Sequence, residues 1–194
     1  MVRAFIAIEL SESIQASIRQ FQKQLQSALY EAPIRWVPVE NIHLTLKFLG
    51  DIRIEQVKPL LRSMEEVTLA YPFFDFDIVG LGCFPSCKRP RVIWLGVEQT
   101  EDRLVQLHQS IDETLLHMYF EPERKRFHPH LTLGRIKKST RPDQLKSLAR
   151  QLDEVEPFAG QVGCVESVHL IQSKLSRSGA EYASLGSAPL GSKS

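Results

Sequence analysis

The sequence has little that would cross-link a small secreted fold or hold a structural metal. Only three of its 194 residues are cysteines, Cys83, Cys87 and Cys164, and no two of them form a Cys-x-x-Cys pair. An odd number of cysteines without that spacing argues against a disulfide framework and against a structural zinc site. A reducing, cytoplasmic setting is therefore predicted, with no metal.

The chain also lacks an excess of charge of one sign and any long hydrophobic run. Lysine and arginine number 24, against 23 aspartates and glutamates, so bulk charge does not indicate a general nucleic-acid binder. The apolar N-terminus, residues 1–9, is too short for a secretory signal, and no later segment approaches the length of a membrane span. We expect a soluble protein with no membrane partner, in which any affinity for phosphate is local.

Hydrophobic residues make up 43% of the chain, enough for one domain over residues 1–194, built as one body or two small lobes. Periodicity predicts the order strand–helix–strand–helix–strand–strand–helix–strand–helix–strand. Such mixing favours an α+β fold with largely antiparallel sheets. The last predicted strand covers residues 162–171. The Ser- and Gly-rich segment 173–194 is expected to be anchored only by Tyr182 and Leu185, and to end in a loose tail.

Two helices can be placed by their starting signals. Ser11 is a plausible N-cap for a helix whose apolar residues recur every three or four positions from Ile14, and this helix must end before Pro33. A second helix is predicted from about Gln56, provided that Pro59 falls in its first turn, where a missing backbone N–H is tolerated.

The most informative feature is the tetrapeptide His-Leu-Thr-Leu, which occurs twice, at residues 43–46 and 130–133. On a strand, residues two apart share a face, so each His and Thr stand together while the leucines anchor the opposite face in the core. In the first copy, alternation from Ile42 to Phe48 predicts Phe48 on the leucine face and Lys47 on the histidine face. The repeat also suggests two lobes that face each other across a cleft.

If the two strands pack side by side, or across a pseudo-twofold axis, two imidazoles and two hydroxyls converge. Such a site suits a phosphodiester, because one of His43 and His130 can accept a proton while the other donates one. The hydroxyls of Thr45 and Thr132 can hydrogen-bond the non-bridging oxygens. A shared metal ion is an alternative, but the accompanying residues are Thr rather than Asp, Glu or Cys.

These motifs sit within longer stretches that resemble a known family: Arg3–Ile8, Asn41–Gly50, Arg91–Gly96, Phe127–Arg135, and a terminal pattern over 175–185 with Gly179 and Tyr182. On these stretches the chain resembles the 2H phosphoesterase superfamily and, within it, the RNA 2′,3′-cyclic phosphodiesterases, also called 2′-5′ RNA ligases. The resemblance covers nearly the whole chain. It implies a bilobal α+β fold with two pseudo-twofold-related lobes and both motif histidines in a central cleft.

The resemblance also implies an activity and its residues. The family opens terminal 2′,3′-cyclic phosphates on RNA to leave 2′-phosphomonoesters, and some members join tRNA halves through a 2′-5′ bond. Carried over, His43 is the proton donor to the departing 3′ oxygen, His130 is the proton acceptor that activates water, and Thr45 and Thr132 hold the phosphate. The expected partners are RNA ends or small cyclic nucleotides, with a monomeric protein and no cofactor.

Other functions stay open at this point. The same acid–base pair could serve a 2′-5′ RNA ligase or a phosphodiesterase for another cyclic or 2′-5′-linked nucleotide. A non-catalytic RNA-end binding protein is a further alternative. It is disfavoured because binding alone would need cations rather than two titrating groups.

Three residues near the second motif are further candidates for substrate binding. Arg126, with Arg124 and Lys125, could form a phosphate patch or simply a solvated basic loop. Phe127 could stack on a base or fill the core. Arg135 alternates onto the leucine face of its strand, so contact with the phosphate requires the strand to end or bulge there.

Overall fold

The computed structural model describes residues 1–99, 101–123, 125–175 and 180–192, without the side chain of Leu175. The strands are β1 Val2–Ile8, β2 Ile34–Trp36, β3 Leu44–Ile52, β4 Phe74–Phe84, β5 Val92–Glu98, β6 His130–Ile136, β7 Gln161–Val165, β8 Ser167–Leu175 and β9 Ala180–Pro189. The helices are α1 Glu12–Ala28, α2 Val57–Thr68, α3 Arg103–Leu116 and α4 Pro142–Asp153. No helix in these residues is long and apolar enough to cross a bilayer.

The strands join one sheet in the order β7-β4-β5-β6-β3-β1-β8-β9, with β2 also paired to β6. Neighbouring strands in this order are antiparallel, which confirms the predicted α+β class. At its centre, β3 and β6 pair only through Leu44 and Leu131. This single pair joins two halves of the sheet, and each half carries one His-Leu-Thr-Leu segment.

The helix predictions are confirmed. Ser11 caps α1, since its hydroxyl oxygen accepts a hydrogen bond from the backbone N–H of Ile14 at 3.4 Å. Pro59 is the third residue of α2 and so lies in its first turn. Apolar residues of the four helices and the motif leucines belong to one buried cluster. The helices therefore lie on the leucine face of the sheet.

The prediction of one long strand over 162–171 is wrong. The chain leaves β7 at Glu166 and enters β8, and the two strands lie in different halves of the sheet: β7 pairs with β4, and β8 pairs with β1. Both segments have the apolar content of a buried strand. Nothing in the local pattern marks the change of partner, because pairing is decided by distant residues.

The prediction of a loosely anchored C-terminal segment is also corrected by the structure. Residues 180–189 form β9, which pairs with β8 from Ala180 to Pro189, and Ala188 and Leu190 are buried. Only one side of this edge strand is hydrogen-bonded, so its composition stays polar and resembles that of a loop. Gly179, part of the terminal pattern, and residues 193–194, the end of the expected tail, lie outside the described residues.

Both motif strands contain a β-bulge at the second leucine. In β3, Thr45 pairs with Ala7 and Lys47 pairs with Ile6, so Leu46 is the extra residue. In β6, Thr132 pairs with Trp94 and Gly134 pairs with Ile93, so Leu133 is extra. A bulge reverses the alternation beyond it.

The bulge in β3 makes the predicted faces of Lys47 and Phe48 wrong. Lys47 turns to the helices and is 3% exposed, whereas Phe48 turns to the histidine face and is 65% exposed. The Lys47 ammonium forms an ion pair with Asp112 of α3 and donates to the Glu121 carbonyl at 2.8 Å. Asp112 also accepts from the Glu123 N–H at 3.2 Å. This network ties β3 to α3 and to the segment that leads into β6.

Loss of the Asp112 carboxylate should be costly, because it leaves the buried Lys47 charge unpaired. We expect Asp112→Ala to lower the free energy of unfolding by about 3–5 kcal/mol, measured by urea denaturation. The combined variant Lys47→Met/Asp112→Leu should recover most of this loss, because it removes both charges. Asp143→Ala is the matched control, since its partner Arg141 is exposed. An Asp112→Ala variant no less stable than Asp143→Ala would contradict the assignment.

Candidate active site

The central Leu44–Leu131 pair places the two tetrapeptides side by side in opposite directions. Because paired residues share a face, the residues flanking this pair lie together on the other face of the sheet. His43 lies beside Thr132, and Thr45 lies beside His130. The structure therefore brings the four predicted side chains together on one face, which we call the site face.

The two histidines are held in the same way. The Nδ1–H of His43 donates to the carbonyl oxygen of Asn41 at 2.9 Å, and the Nδ1–H of His130 donates to that of His128 at 2.7 Å. A carbonyl oxygen can only accept, so these bonds place a hydrogen on Nδ1 in each ring. In each imidazole, Nε2 is left as the nitrogen that can give or take a proton.

Aromatic rings surround both imidazoles. His43 stacks on Phe5 of β1, with ring centroids 4.6 Å apart, and meets the edge of Tyr182 of β9 at 5.2 Å. His130 meets Phe84 of β4 at 4.9 Å and Trp94 of β5 at 6.2 Å. These aromatic side chains were not predicted as part of the site. They come from neighbouring strands, and only the order of the sheet puts them beside the motifs.

Burial among these rings disfavours the charged form of both histidines. It lowers the pKa of His43 to about 4, against the opposing effect of the Asn41 carbonyl, and the charges of Arg135 and His130 lower it further. Burial also lowers the pKa of His130, again opposed by a carbonyl, that of His128, with His128 and Arg135 adding to the shift. Both rings are therefore neutral near pH 7.

The two threonines are available to a ligand. Both are half-buried, and neither hydroxyl forms a hydrogen bond with any residue in the described ranges. A phosphate oxygen between the histidines would find these donors unoccupied. Across the same ranges, no group of three or more His, Cys, Asp or Glu side chains is placed to hold a metal ion.

Arg135 lies on the site face because of the bulge at Leu133. Strict alternation predicts Arg135 on the leucine face, from which it could reach the phosphate only if the strand ended or bulged there. β6 does bulge, at Leu133. Arg135 is exposed, and its positive charge lowers the pKa of both His43 and His130. Phe48 occupies the corresponding position after the bulge in the first motif, and its ring lies 6.0 Å from that of Phe5. Sequence alternation missed Phe48 as a residue of the site face.

Arg126 and Phe127 precede β6 and lie outside the paired tetrapeptides. The Phe127 ring stacks on His108 of α3, with centroids 4.0 Å apart and planes within 9°, so that face of the ring is already covered. Arg126 is exposed and lines a cleft with Lys125 and His128 that extends from Trp94 toward α3. Arg124, the third member of the basic patch, lies outside the described residues.

A fold of two halves, each supplying one His and one Thr to a common face, defines a phosphoesterase of the two-histidine kind. The profile of the "LigT like Phosphoesterase" family matches residues 8–94 and 95–182, and each match contains one tetrapeptide. The chain belongs to this family, which confirms the resemblance noted in the sequence.

The chain is similar to proteins named "RNA 2′,3′-cyclic phosphodiesterase". The protein of Methanothermobacter thermautotrophicus is 36% identical over 181 residues, covering 93% of this chain and 95% of its own. The protein of Aquifex aeolicus is 32% identical over 183 residues, covering 94% of each chain. The similarity therefore extends well beyond the two motifs.

Solved structures show the same fold. A Thermus thermophilus protein superimposes with a TM-score of 0.80 at 24% identity, over 99% of this chain and 100% of its own. Escherichia coli LigT, crystallised with 3′-AMP, gives a TM-score of 0.74 at 26% identity, over 97% of this chain and 98% of its own.

The lowered pKa of His43 predicts a pH-dependent contribution to stability. In the unfolded chain this histidine titrates near 6.5, so between about pH 6.5 and 4 the unfolded state binds more protons than the folded one. The contribution is complete above pH 6.5 and is lost as the pH falls toward 4, by about 3 kcal/mol. We expect His43→Gln to lose correspondingly less stability than the wild type over this range, measured by urea denaturation at several pH values.

The matched control for this measurement is His117→Gln, which changes an exposed histidine at the end of α3. Its stability should fall with pH in parallel with the wild type. Parallel curves for His43→Gln and the wild type would show that burial does not suppress protonation of His43.

Proposed function

We propose that the protein is an RNA 2′,3′-cyclic phosphodiesterase that hydrolyses a terminal 2′,3′-cyclic phosphate to a 2′-phosphomonoester. The observation that carries the proposal is the pair of imidazoles on one face, each fixed through Nδ1 and free at Nε2. The full-length similarity to RNA 2′,3′-cyclic phosphodiesterases supports the substrate class. E. coli LigT, solved with 3′-AMP, supports a nucleotide ligand.

In the proposed reaction the Nε2 of neutral His130 accepts a proton from water, whose oxygen attacks the phosphorus. The bond between phosphorus and the 3′ oxygen breaks, and the Nε2–H of protonated His43 gives its proton to that oxygen. Thr45 and Thr132 donate hydrogen bonds to the non-bridging oxygens, and Arg135 offsets the developing negative charge. All of these steps use side chains of the chain itself.

Protonation of His43 must accompany substrate binding, because burial alone keeps this histidine neutral at pH 7. A cyclic phosphate carries a negative charge, and an anion between the two rings favours the imidazolium form. Substrate binding thus raises the pKa values that burial lowers. The division of His43 as donor and His130 as acceptor follows the family resemblance.

The domain organisation, oligomeric state and cellular location of the protein belong to the same proposal. Residues 1–194 act as one domain, because both halves of the site belong to one sheet. We propose that the protein acts as a monomer on RNA ends or small cyclic nucleotides. We place it in the cytoplasm, because three cysteines without a Cys-x-x-Cys pair argue against a disulfide framework.

Product analysis tests the reaction directly. An RNA oligonucleotide with a 2′,3′-cyclic phosphate end should be converted to one ending in a 2′-phosphate, identified by its mass increase of one water and by co-elution with a synthetic 2′-phosphate standard that separates from the isomeric 3′-phosphate. A 3′-phosphate would overturn the assigned bond cleavage. A longer RNA would indicate 2′-5′ ligation, and unchanged RNA that still binds would indicate an RNA-end binding protein.

Both histidines should be required for this hydrolysis. We expect His43→Ala and His130→Ala each to lower kcat by about 10²–10⁴, the usual contribution of a general acid or base, in steady-state assays with a mononucleoside 2′,3′-cyclic phosphate. Circular dichroism and thermal unfolding should show that both variants still fold. His117→Ala, which removes an exposed histidine, should retain full activity. Wild-type rates in either motif variant would exclude the acid–base pair.

A further inference from the structure

Two arginines face each other across neighbouring strands beside the site. Arg35 of β2 pairs directly with Arg135 of β6 in the antiparallel register. Directly opposed residues share a face, with Cβ atoms about 5 Å apart. Arg35 therefore lies on the site face, one strand beyond Arg135.

This pair places two like charges together. Both side chains are exposed, and neither guanidinium forms an ion pair or hydrogen bond with any residue in the part of the chain that the structure describes. Like charges directly opposite each other destabilise a sheet. An anion between the two guanidinium groups would remove this repulsion and could accept bidentate hydrogen bonds.

The arginines are held on a rigid part of the fold. Ile34 and Trp36, on either side of Arg35, pack over Gly134, where an added Cβ would lie 2.8 Å from Ile34 Cγ2 and 3.2 Å from the Trp36 ring. The buried amide of Gln22 in α1 donates to the carbonyls of Val37 at 2.8 Å and Leu133 at 3.1 Å. The short strand β2 is thus fixed to β6 from the core side, and the position of Arg35 follows from it.

We propose that Arg35 and Arg135 form a second anion subsite, which binds the phosphodiester of the RNA substrate one nucleotide before the terminal cyclic phosphate. The inference rests on the proposed function. The register sets Arg35 level with Arg135, about one strand spacing away. Both arginines lie beyond Thr132 and the bulge at Leu133 along β6, so the two anions occupy neighbouring positions along the site face. All remaining phosphates of such a substrate lie on the 5′ side of the cyclic phosphate. The subsite therefore distinguishes a polynucleotide substrate from a mononucleotide.

Three substrates separate the second phosphate from other contacts. The first is a mononucleoside 2′,3′-cyclic phosphate, which has no second phosphate. The second is a 5′-hydroxyl dinucleotide with the same cyclic end, and the third is this dinucleotide with a neutral methylphosphonate linkage. The last two present the same bases and differ in one charge.

We expect Arg35→Ala to lower kcat/KM for the phosphodiester dinucleotide by about tenfold. The values for the mononucleotide and the methylphosphonate should stay within about twofold of the wild type, because they carry no second charge. The salt dependence of log kcat/KM for the phosphodiester should become shallower by about one charge contact. Arg35→Lys should retain part of the effect, since it keeps the charge but not the planar fork.

Arg19→Ala is the matched control, because it removes the same charge from an exposed position of α1, on the leucine side of the sheet. It should leave all three substrates unaffected. An Arg35→Ala variant that loses the phosphodiester and the methylphosphonate equally, or neither, would overturn the subsite.

A binding measurement makes this result independent of turnover. The 2′-phosphorylated dinucleotide products, with phosphodiester and methylphosphonate linkages, are titrated calorimetrically against the wild type and Arg35→Ala. The wild type should bind the phosphodiester form about tenfold more tightly, and the variant should show no preference. If the wild type hydrolyses none of the substrates, the proposed function fails. The anion subsite is then decided by binding alone: a preference of the wild type for the phosphodiester product supports the subsite, and the lack of this preference overturns it.

Discussion

The arrangement of the site depends on one backbone constraint, the β-bulge at the second leucine of each motif. Up to the bulge, strand alternation holds His and Thr on the site face and the first leucine in the core. At the bulge the alternation reverses, which turns Lys47 toward α3 and brings Phe48 and Arg135 to the site face. Without the two bulges the histidines would keep their places. The cation beside them would instead point into a buried apolar cluster.

The second feature that determines the chemistry of the site is the burial of both imidazoles beside backbone carbonyls rather than carboxylates. Aromatic rings from β1, β4, β5 and β9 enclose the two imidazoles, and each imidazole hydrogen-bonds a backbone carbonyl rather than a carboxylate. The side chains of the site are therefore neutral at the histidines and positive at Arg135. That combination favours an anionic ligand, whose charge stabilises the imidazolium that acid catalysis needs. In the proposed mechanism, the charge of the bound substrate also brings the proton donor His43 to its protonated form.

The two halves are similar in backbone but have different side chains after their bulges. Lys47 in one half corresponds to Gly134 in the other, and the difference has a structural use on each side. The Lys47 ammonium anchors α3 and the segment around residue 121, whereas the missing side chain of Gly134 admits β2 with Ile34 and Trp36. Phe48 and Arg135 differ likewise, one aromatic and one cationic. The proposed nucleotide substrate, which is asymmetric, would thus meet unlike surroundings at its two ends.

The sequence by itself determined the class of the fold, the helices with the N-cap of the first, and the four side chains of the two motifs, because period-two alternation and three-to-four spacing are local properties of the chain. It also indicated the family, because the motifs recur in order within long matching stretches. The partners of each strand were decided only by the tertiary structure. Residues 162–175 divide between two halves of the sheet, residues 180–189 form an edge strand, and Arg35, Phe48 and Arg135 share the site face through pairing and bulges. Register depends on contacts between residues far apart in sequence, and no local pattern records it.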